Sequence, residues 1–207
     1  MQRPVLIIAI VAVAVIAAAA GMLALRGDPK VTASAAMVNA DVSGIGGPFA
    51  LVRQDGVAIT SERVLDKPSL VYFGYTFCPD VCPVDVQVMA DAVDLLAEND
   101  VQVQPVFITI DPERDTPKEL SAYAEAMHPK MVALSGSAEQ IATAAKAYSV
   151  FYRRQDTEGS AAEYLMQHSA FTYLVLPGHG TVAIFRNGFP PEQIASDVER
   201  VLKAYSD

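Results

Sequence analysis

Cys78 and Cys82 are the only two cysteines of a 207-residue chain, and three residues separate them. On a helical turn, residues i and i+4 stand about 5–6 Å apart at Cβ, so two thiolates so placed can converge on one metal ion. They can also close a disulfide, which needs Cβ atoms about 3.5–4.5 Å apart. The spacing alone leaves a structural disulfide, a redox-active pair and a metal site all open. A bridge across so short a loop would constrain the unfolded chain less than one across a long loop. Soft thiolates favour Cu(I) or zinc. A structural zinc site usually takes four protein ligands, whereas Cu(I) can be held by fewer. A third ligand would most naturally be a histidine, and the chain has three, His128, His168 and His179.

The elements around these residues narrow the choice. Residues 70–75 are apolar and rich in strand formers, so they read as a buried strand. Gly74 lets the backbone pass close to a neighbour as the strand ends. A helix is expected from Asp85 to about Glu98, with Pro79 fitting a first helical turn. The cysteines therefore stand at a strand-to-helix junction, where the helix N-terminus favours the thiolate. His168 immediately precedes the apolar run 170–176 and should sit near a strand start, facing a neighbouring loop. His128 falls at a helix end, where imidazolium would complement the dipole. His179 falls at an exposed hairpin tip, between Gly178 and Gly180. Met89 has core spacing; Met166, two residues before His168, would share its face in an extended segment.

The stretch Tyr72-Phe73-Gly74-Tyr75-Thr76-Phe77-Cys78-Pro79-Asp80-Val81-Cys82-Pro83 closely resembles the signature of the Sco/SenC family of copper chaperones. Ile110-Asp111-Pro112-Glu113-Arg114-Asp115-Thr116-Pro117 resembles that family's second motif. Gly44-Ile45-Gly46-Gly47-Pro48-Phe49 resembles its domain entry, and His168 falls where its ligand histidine falls. The likeness runs over about residues 42–205. It implies a thioredoxin-like domain that binds copper, as Cu(I) or Cu(II), through Cys78, Cys82 and His168, with Asp111 and Asp115 ordering the loops beside the metal. It also implies help in building the dinuclear copper centre of cytochrome c oxidase, by copper delivery, by reduction of the acceptor cysteines, or both. The partners implied are the copper-bearing oxidase subunit, the inner membrane and another periplasmic copper chaperone. Many relatives carry histidine where this chain has Phe77, which alters the apolar shielding of the site. The competing reading is a thiol–disulfide oxidoreductase of thioredoxin type, with Cys78 attacking, Cys82 resolving and copper incidental.

Composition sets the outer bounds. The formal charge is −9, and from Gly27 onward 13 basic residues face 24 acidic ones. Nucleic-acid binding, which needs a basic face, is thereby disfavoured. Residues 5–25 are an unbroken apolar run of 21 residues. At 1.5 Å per residue this can cross a hydrocarbon core of about 30 Å and exceeds the usual signal-peptide core of about 7–15 residues. A single transmembrane anchor is expected there, although the small residues 17–21 would also suit a signal peptidase. Arg3 precedes the run, while Arg26 and Lys30 follow it, so the positive-inside rule is weakly informative. The resemblance places the domain on the periplasmic side of a bacterial inner membrane. Residues 26–43 are small and polar and read as a flexible tether.

Residues 44–207 should form one α/β domain, a thioredoxin-like sandwich around a central mixed sheet. Gln54-Asp55-Gly56 between short β-type runs predicts a hairpin. Residues 101–110 predict the next strand, with Pro105 forcing a bend or a late start. A helix over 117–127, a strand over 130–135, and a helix over 138–148 capped by Ser137 follow. A short strand over 151–154 comes next, then a mobile polar loop over 156–163 that could let His168 move on and off a metal. A hairpin of 170–176 with 181–185 and a closing helix over 191–204 complete the chain.

Overall fold

Alternation along one strand sets the layers of this protein. The computed structural model describes residues 42, 44–157 and 163–206, all within one compact unit, Ala36–Asp207. In β3 (Ser69–Gly74) all six residues are buried, so the strand is covered on both faces. Successive side chains point to opposite sides of a sheet. Accordingly, Tyr72 reaches Asp85 of the helix α2 (Val81–Glu98), while Phe73 packs on Tyr148 at a ring-centroid distance of 5.3 Å. Tyr148 is the C-cap of another helix, α4 (Ala138–Ala147).

The elements run β1 (Ala50–Arg53), β2 (Ala58–Thr60), α1 (Ser61–Val64), β3, α2, β4 (Gln104–Thr109), α3 (Pro117–Met127), β5 (Val132–Ser135), α4, β6 (Tyr152–Asp156), β7 (Tyr164–His168), β8 (Phe171–Leu176), β9 (Gly180–Arg186) and α5 (Pro191–Ala204). Seven strands form one mixed sheet in the order β2-β1-β5-β4-β3-β8-β9, and β6 pairs with β7 in a separate two-stranded sheet. Pairing is parallel for β3–β4 and β4–β5 and antiparallel elsewhere. The α2 and α3 crossovers join neighbouring parallel strands taken in the same direction. Right-handed connections then put both helices on one face. This is the α/β sandwich around a mixed sheet that the sequence predicts.

Pro105 survives inside a central strand for a local reason. Gln104 donates its N–H to Pro68 on the β3 side, so the next residue's nitrogen points toward β5. Pairing with β5 begins only at Val106, so the missing donor leaves no ladder partner unmet. The strand also starts later than the 101–110 read from its apolar residues. The hairpin at Asp55-Gly56, the Ser137 cap (a full capping box with Gln140) and the bounds of α3 and α5 form as expected.

Two elements that carry the site differ. Helix α2 begins at Val81, not Asp85, with Pro83 rather than Pro79 in its first turn, where the N–H it lacks would have no helical partner. Residues 164–168, whose mixed composition hides any period, form strand β7, so His168 ends a strand of its own instead of opening the next. The expected membrane span at 5–25 and residues 158–162 of the polar loop lie outside the described residues, as does the tether at 26–43 apart from residue 42. Among the described residues no helix is long and apolar enough to cross a membrane.

Candidate metal centre

The carboxyl ends of β3 and β4 lie side by side, with Gly74 opposite Thr109, and the loops leaving this edge build the site. After β3 the chain turns through Tyr75, whose carbonyl accepts the Cys78 N–H at 3.2 Å. Cys78 sits just before α2 and is half-buried; Cys82, in the first turn of α2, is fully buried. Asp80, the N-cap, makes no side-chain cap. The Cys82 N–H donates instead to Cys78 Sγ at 3.4 Å, so the sulfur takes up one of the free donors of the helix start. Cys82 has room because residue 74 is glycine. A Cβ there would lie 3.1 Å from Cys82 Sγ, 2.9 Å from the Tyr72 ring and 3.1 Å from the Phe107 ring.

His168 comes from the other direction, at the end of β7, paired with Tyr152 of β6. Its Nδ1 lies 2.9 Å from the Ser169 carbonyl and its Nε2 lies 3.1 Å from Cys82 Sγ. A carbonyl can only accept, so Nδ1 carries the proton and Nε2 presents its lone pair to the sulfurs. The imidazole is held edge-on by two rings, Tyr72 at 6.3 Å and Tyr75 at 6.0 Å between centroids.

The ligand atoms of Cys78, Cys82 and His168 all lie within 4.8 Å of one another. Three such donors around one ion, at bond lengths of about 2.0–2.3 Å, stand roughly 3.5–4 Å apart, so small side-chain adjustments close the set. Both cysteines are free thiols. They titrate very unequally. The hydrogen bond from Cys82 first, with backbone N–H groups at Asp80 and Cys82, holds Cys78 far below the ordinary thiol value despite partial burial. The same bond to Cys78, with burial, pushes Cys82 up. The pair therefore holds one thiolate, on the more accessible sulfur, and keeps one proton on the buried one.

Asp111 and Asp115 touch neither sulfur nor imidazole in the hydrogen bonds described; each ties loops together. Asp115 is fully buried, and its carboxylate accepts the Thr76 N–H at 3.0 Å, the Thr76 hydroxyl and the Thr109 hydroxyl. Burial raises its pKa against those bonds. Asp111 accepts from Arg114 Nε at 2.6 Å and from the Tyr164 hydroxyl at 2.8 Å, joining the β4–α3 loop to the start of β7.

Of the other histidines, His128 is buried and cross-braces two helices. Its Nδ1 accepts the Lys130 N–H at 3.1 Å and its Nε2 faces Asp94 at 3.1 Å. It caps the C-terminal end of α3, the helix end read from the sequence, but is buried and tied to Lys130 and Asp94 instead of standing free. His179 is exposed at its hairpin tip, edge-on to the Tyr205 ring at 4.9 Å between centroids. Met89 is in the core; Met166 is half-buried beside Tyr152 and Tyr164. Phe77, 54% exposed, lies open at the rim next to Cys78. Asp85, Tyr72 and Asn187 escaped the sequence reading. Asp85 accepts from the Tyr72 hydroxyl at 3.1 Å and from Asn187 at 2.7 Å, directly behind the buried cysteine's helix turn. A lone acid three residues after Cys82 looks like any solvated helix residue.

A family model described as SCO1/SenC matches residues 38–203. Protein SenC of Rhodobacter capsulatus is 46% identical over 160 residues, 77% of this chain and 72% of that protein. The structure of Arabidopsis thaliana ScoI with copper bound is similar with a TM-score of 0.74 at 38% identity, covering 78% of this chain and 99% of that one. BsSco is a member of the Sco family of cytochrome c oxidase assembly proteins in which a disulfide switch was identified. It is similar with a TM-score of 0.58 at 25% identity, covering 75% of this chain and 91% of that one.

Proposed function

The chain belongs to the SCO1/SenC family, with a thioredoxin-like α/β fold around a mixed sheet, and from that premise we propose that it carries copper for the assembly of cytochrome c oxidase. The observation that carries this reading is the convergence of Cys78 Sγ, Cys82 Sγ and His168 within 4.8 Å, from the β3–α2 loop, the first turn of α2 and a separate hairpin. Two thiolates suit Cu(I), and an added imidazole suits Cu(II). Copper is cargo here, so the site must release it as well as hold it. Cys78 is the reachable sulfur and already a thiolate, hence the ligand through which copper enters and leaves. Cys82, at the back under Tyr72 and Gly74, keeps the ion from being stripped by water. The Cys82 proton must leave when both sulfurs bind metal.

The same asymmetry favours a second activity of the pair, reduction of an acceptor disulfide. The Cys78 thiolate attacks one acceptor sulfur and expels the other as thiolate. Cys82, losing its proton, then attacks Cys78 Sγ of the mixed disulfide. The acceptor leaves as a dithiol, and two electrons have passed from Cys78 and Cys82, which end as a disulfide. The likeness to BsSco, with its disulfide switch, supports keeping both activities.

Residues 5–25 are proposed as the anchor and 26–43 as the tether, placing the domain of residues 44–207 in the periplasm of a bacterium, where it meets the copper-bearing oxidase subunit and a copper donor. The apolar length of the first segment and the small, polar composition of the second support this.

An anaerobic Cu(I) titration of the reduced soluble domain, with a parallel Cu(II) titration, tests the central claim against His168→Ala. One copper per chain is expected. The variant should lose Cu(II) affinity by at least about tenfold and change its Cu(II) spectrum, while retaining Cu(I) on the two thiolates. Full affinity of His168→Ala for both oxidation states would exclude the three-ligand site and leave the dithiol exchange reading.

A further inference from the structure

The third ligand lies on a hairpin that belongs to a different sheet from the strands carrying the cysteine loop, so something must hold the two together. We propose that Arg114 is a positioning residue that clamps the β6–β7 hairpin to the Cys78 loop, so that His168 meets the thiolates already in place; this rests on the copper-site reading above. Arg114 lies in the β4–α3 loop with its side chain 19% exposed. Its Nε donates to Asp111 at 2.6 Å and its Nη1 to the Tyr164 carbonyl at 3.0 Å, four residues before His168 on the same strand. Its guanidinium lies 3.6 Å over the Tyr164 ring and 5.0 Å from the Phe77 ring, next to Cys78. Tyr75, the other edge against the His168 imidazole, is 5.7 Å away. One planar cation therefore touches all three segments that build the site.

The far side of Tyr164 is closed as well. Arg154 of β6 lies 3.8 Å from the same ring. Two guanidinium centres so near one ring centre can fit only on opposite faces. Their repulsion is met by acids on each side, Asp111 for Arg114 and Glu113 and Asp156 for Arg154. Arg114 Nη2 is buried with no hydrogen-bond partner among the described residues, so the aromatic faces are what surround that end of the fork. Lysine could supply the charge but neither the fork nor the plane.

The test compares wild type, Arg114→Met and Arg114→Lys in two measurements. The first is metal-free: amide hydrogen exchange of Tyr164–His168 against β3 and β4. Both variants should exchange at least about tenfold faster in the hairpin with the central strands unchanged, lysine less so than methionine. The second is copper binding. Cu(II) affinity should fall by about tenfold, the usual cost of losing a group that orients a ligand, with Cu(I) affinity changed less than about threefold. In the His168→Ala background Arg114→Met should add nothing further. Unaltered hairpin protection would overturn the clamp. So would equal losses of Cu(I) and Cu(II) that persist without His168, since Arg114 would then act through the fold at large. If wild type and His168→Ala bind copper alike, the copper reading fails by itself and hydrogen exchange still decides whether Arg114 is a clamp.

Discussion

His168 offers Nε2 because the Ser169 carbonyl takes the Nδ1 proton, and Cys78 is the thiolate because Cys82 and the helix start donate to it. Each ligand is thus set by one neighbour. Behind them, Asp85 is a buried acid held by Tyr72 and Asn187 rather than by a cation. Burial raises its carboxyl above the ordinary value of 3.8, opposed by hydrogen bonds from Tyr72 and Asn187. The folded state then binds the proton more tightly than the unfolded chain. The stability this group contributes is fully present below about pH 3.8 and is lost as pH rises through the folded pKa. Asp85→Asn cannot titrate, so the stability of wild type relative to the variant should decline with rising pH across that window. Denaturant midpoints at a series of pH values measure the difference; growth with pH would show that the carboxylate, not the acid, is the favoured form.

Among the elements, the loop between β3 and α2 matters most, because it carries Cys78. Asp115 secures it through the Thr76 N–H and hydroxyl and binds it to Thr109 at the end of β4. Removing this carboxylate leaves several buried donors without an acceptor, at about 1–3 kcal/mol each before relaxation. Asp115→Ala is therefore expected to destabilise the domain by roughly 2–4 kcal/mol and to weaken copper binding although no ligand is touched. Chemical denaturation checks the first part, and a loss under about 1 kcal/mol would mean the loop is held elsewhere. The β6–β7 hairpin is the other exposed element, joined to the rest of the site by the Asp111–Arg114–Tyr164 contacts.

For the whole molecule, the acidic domain and the apolar N-terminal run are separate physical units. A run of 21 apolar residues is long enough to hold a chain in a bilayer, whereas the excess of 24 acidic over 13 basic residues from Gly27 onward favours a soluble domain. Full-length protein should stay with the membrane fraction through alkaline carbonate washing, and a chain beginning at Gly27 should be recovered in the supernatant. Full-length protein found shortened to about residue 20 and soluble would instead identify the run as a cleaved export signal.

Much of this protein was legible in its sequence for reasons that are local. The strand read at 70–75 and found at 69–74, the hairpin at Asp55-Gly56, the Ser137 cap and helices α3 and α5 follow from periodicity and turn chemistry, which act between residues a few positions apart. The two cysteines and the resemblance of their motif already pointed to copper and to His168 as the partner. What the sequence left open was decided by contacts between distant segments. The mixed residues of β7 became a strand only because β6 pairs with them. His128, read as a helix-end cation, became a buried brace because Asp94 and Lys130 surround it. The geometry of the Cys78, Cys82 and His168 cluster, the cross-links through Arg114 and the buried Asp85 all depend on side chains far apart in the chain meeting in a close-packed interior. No short-range pattern encodes such meetings, because they exist only once the sheet and its covering helices have formed.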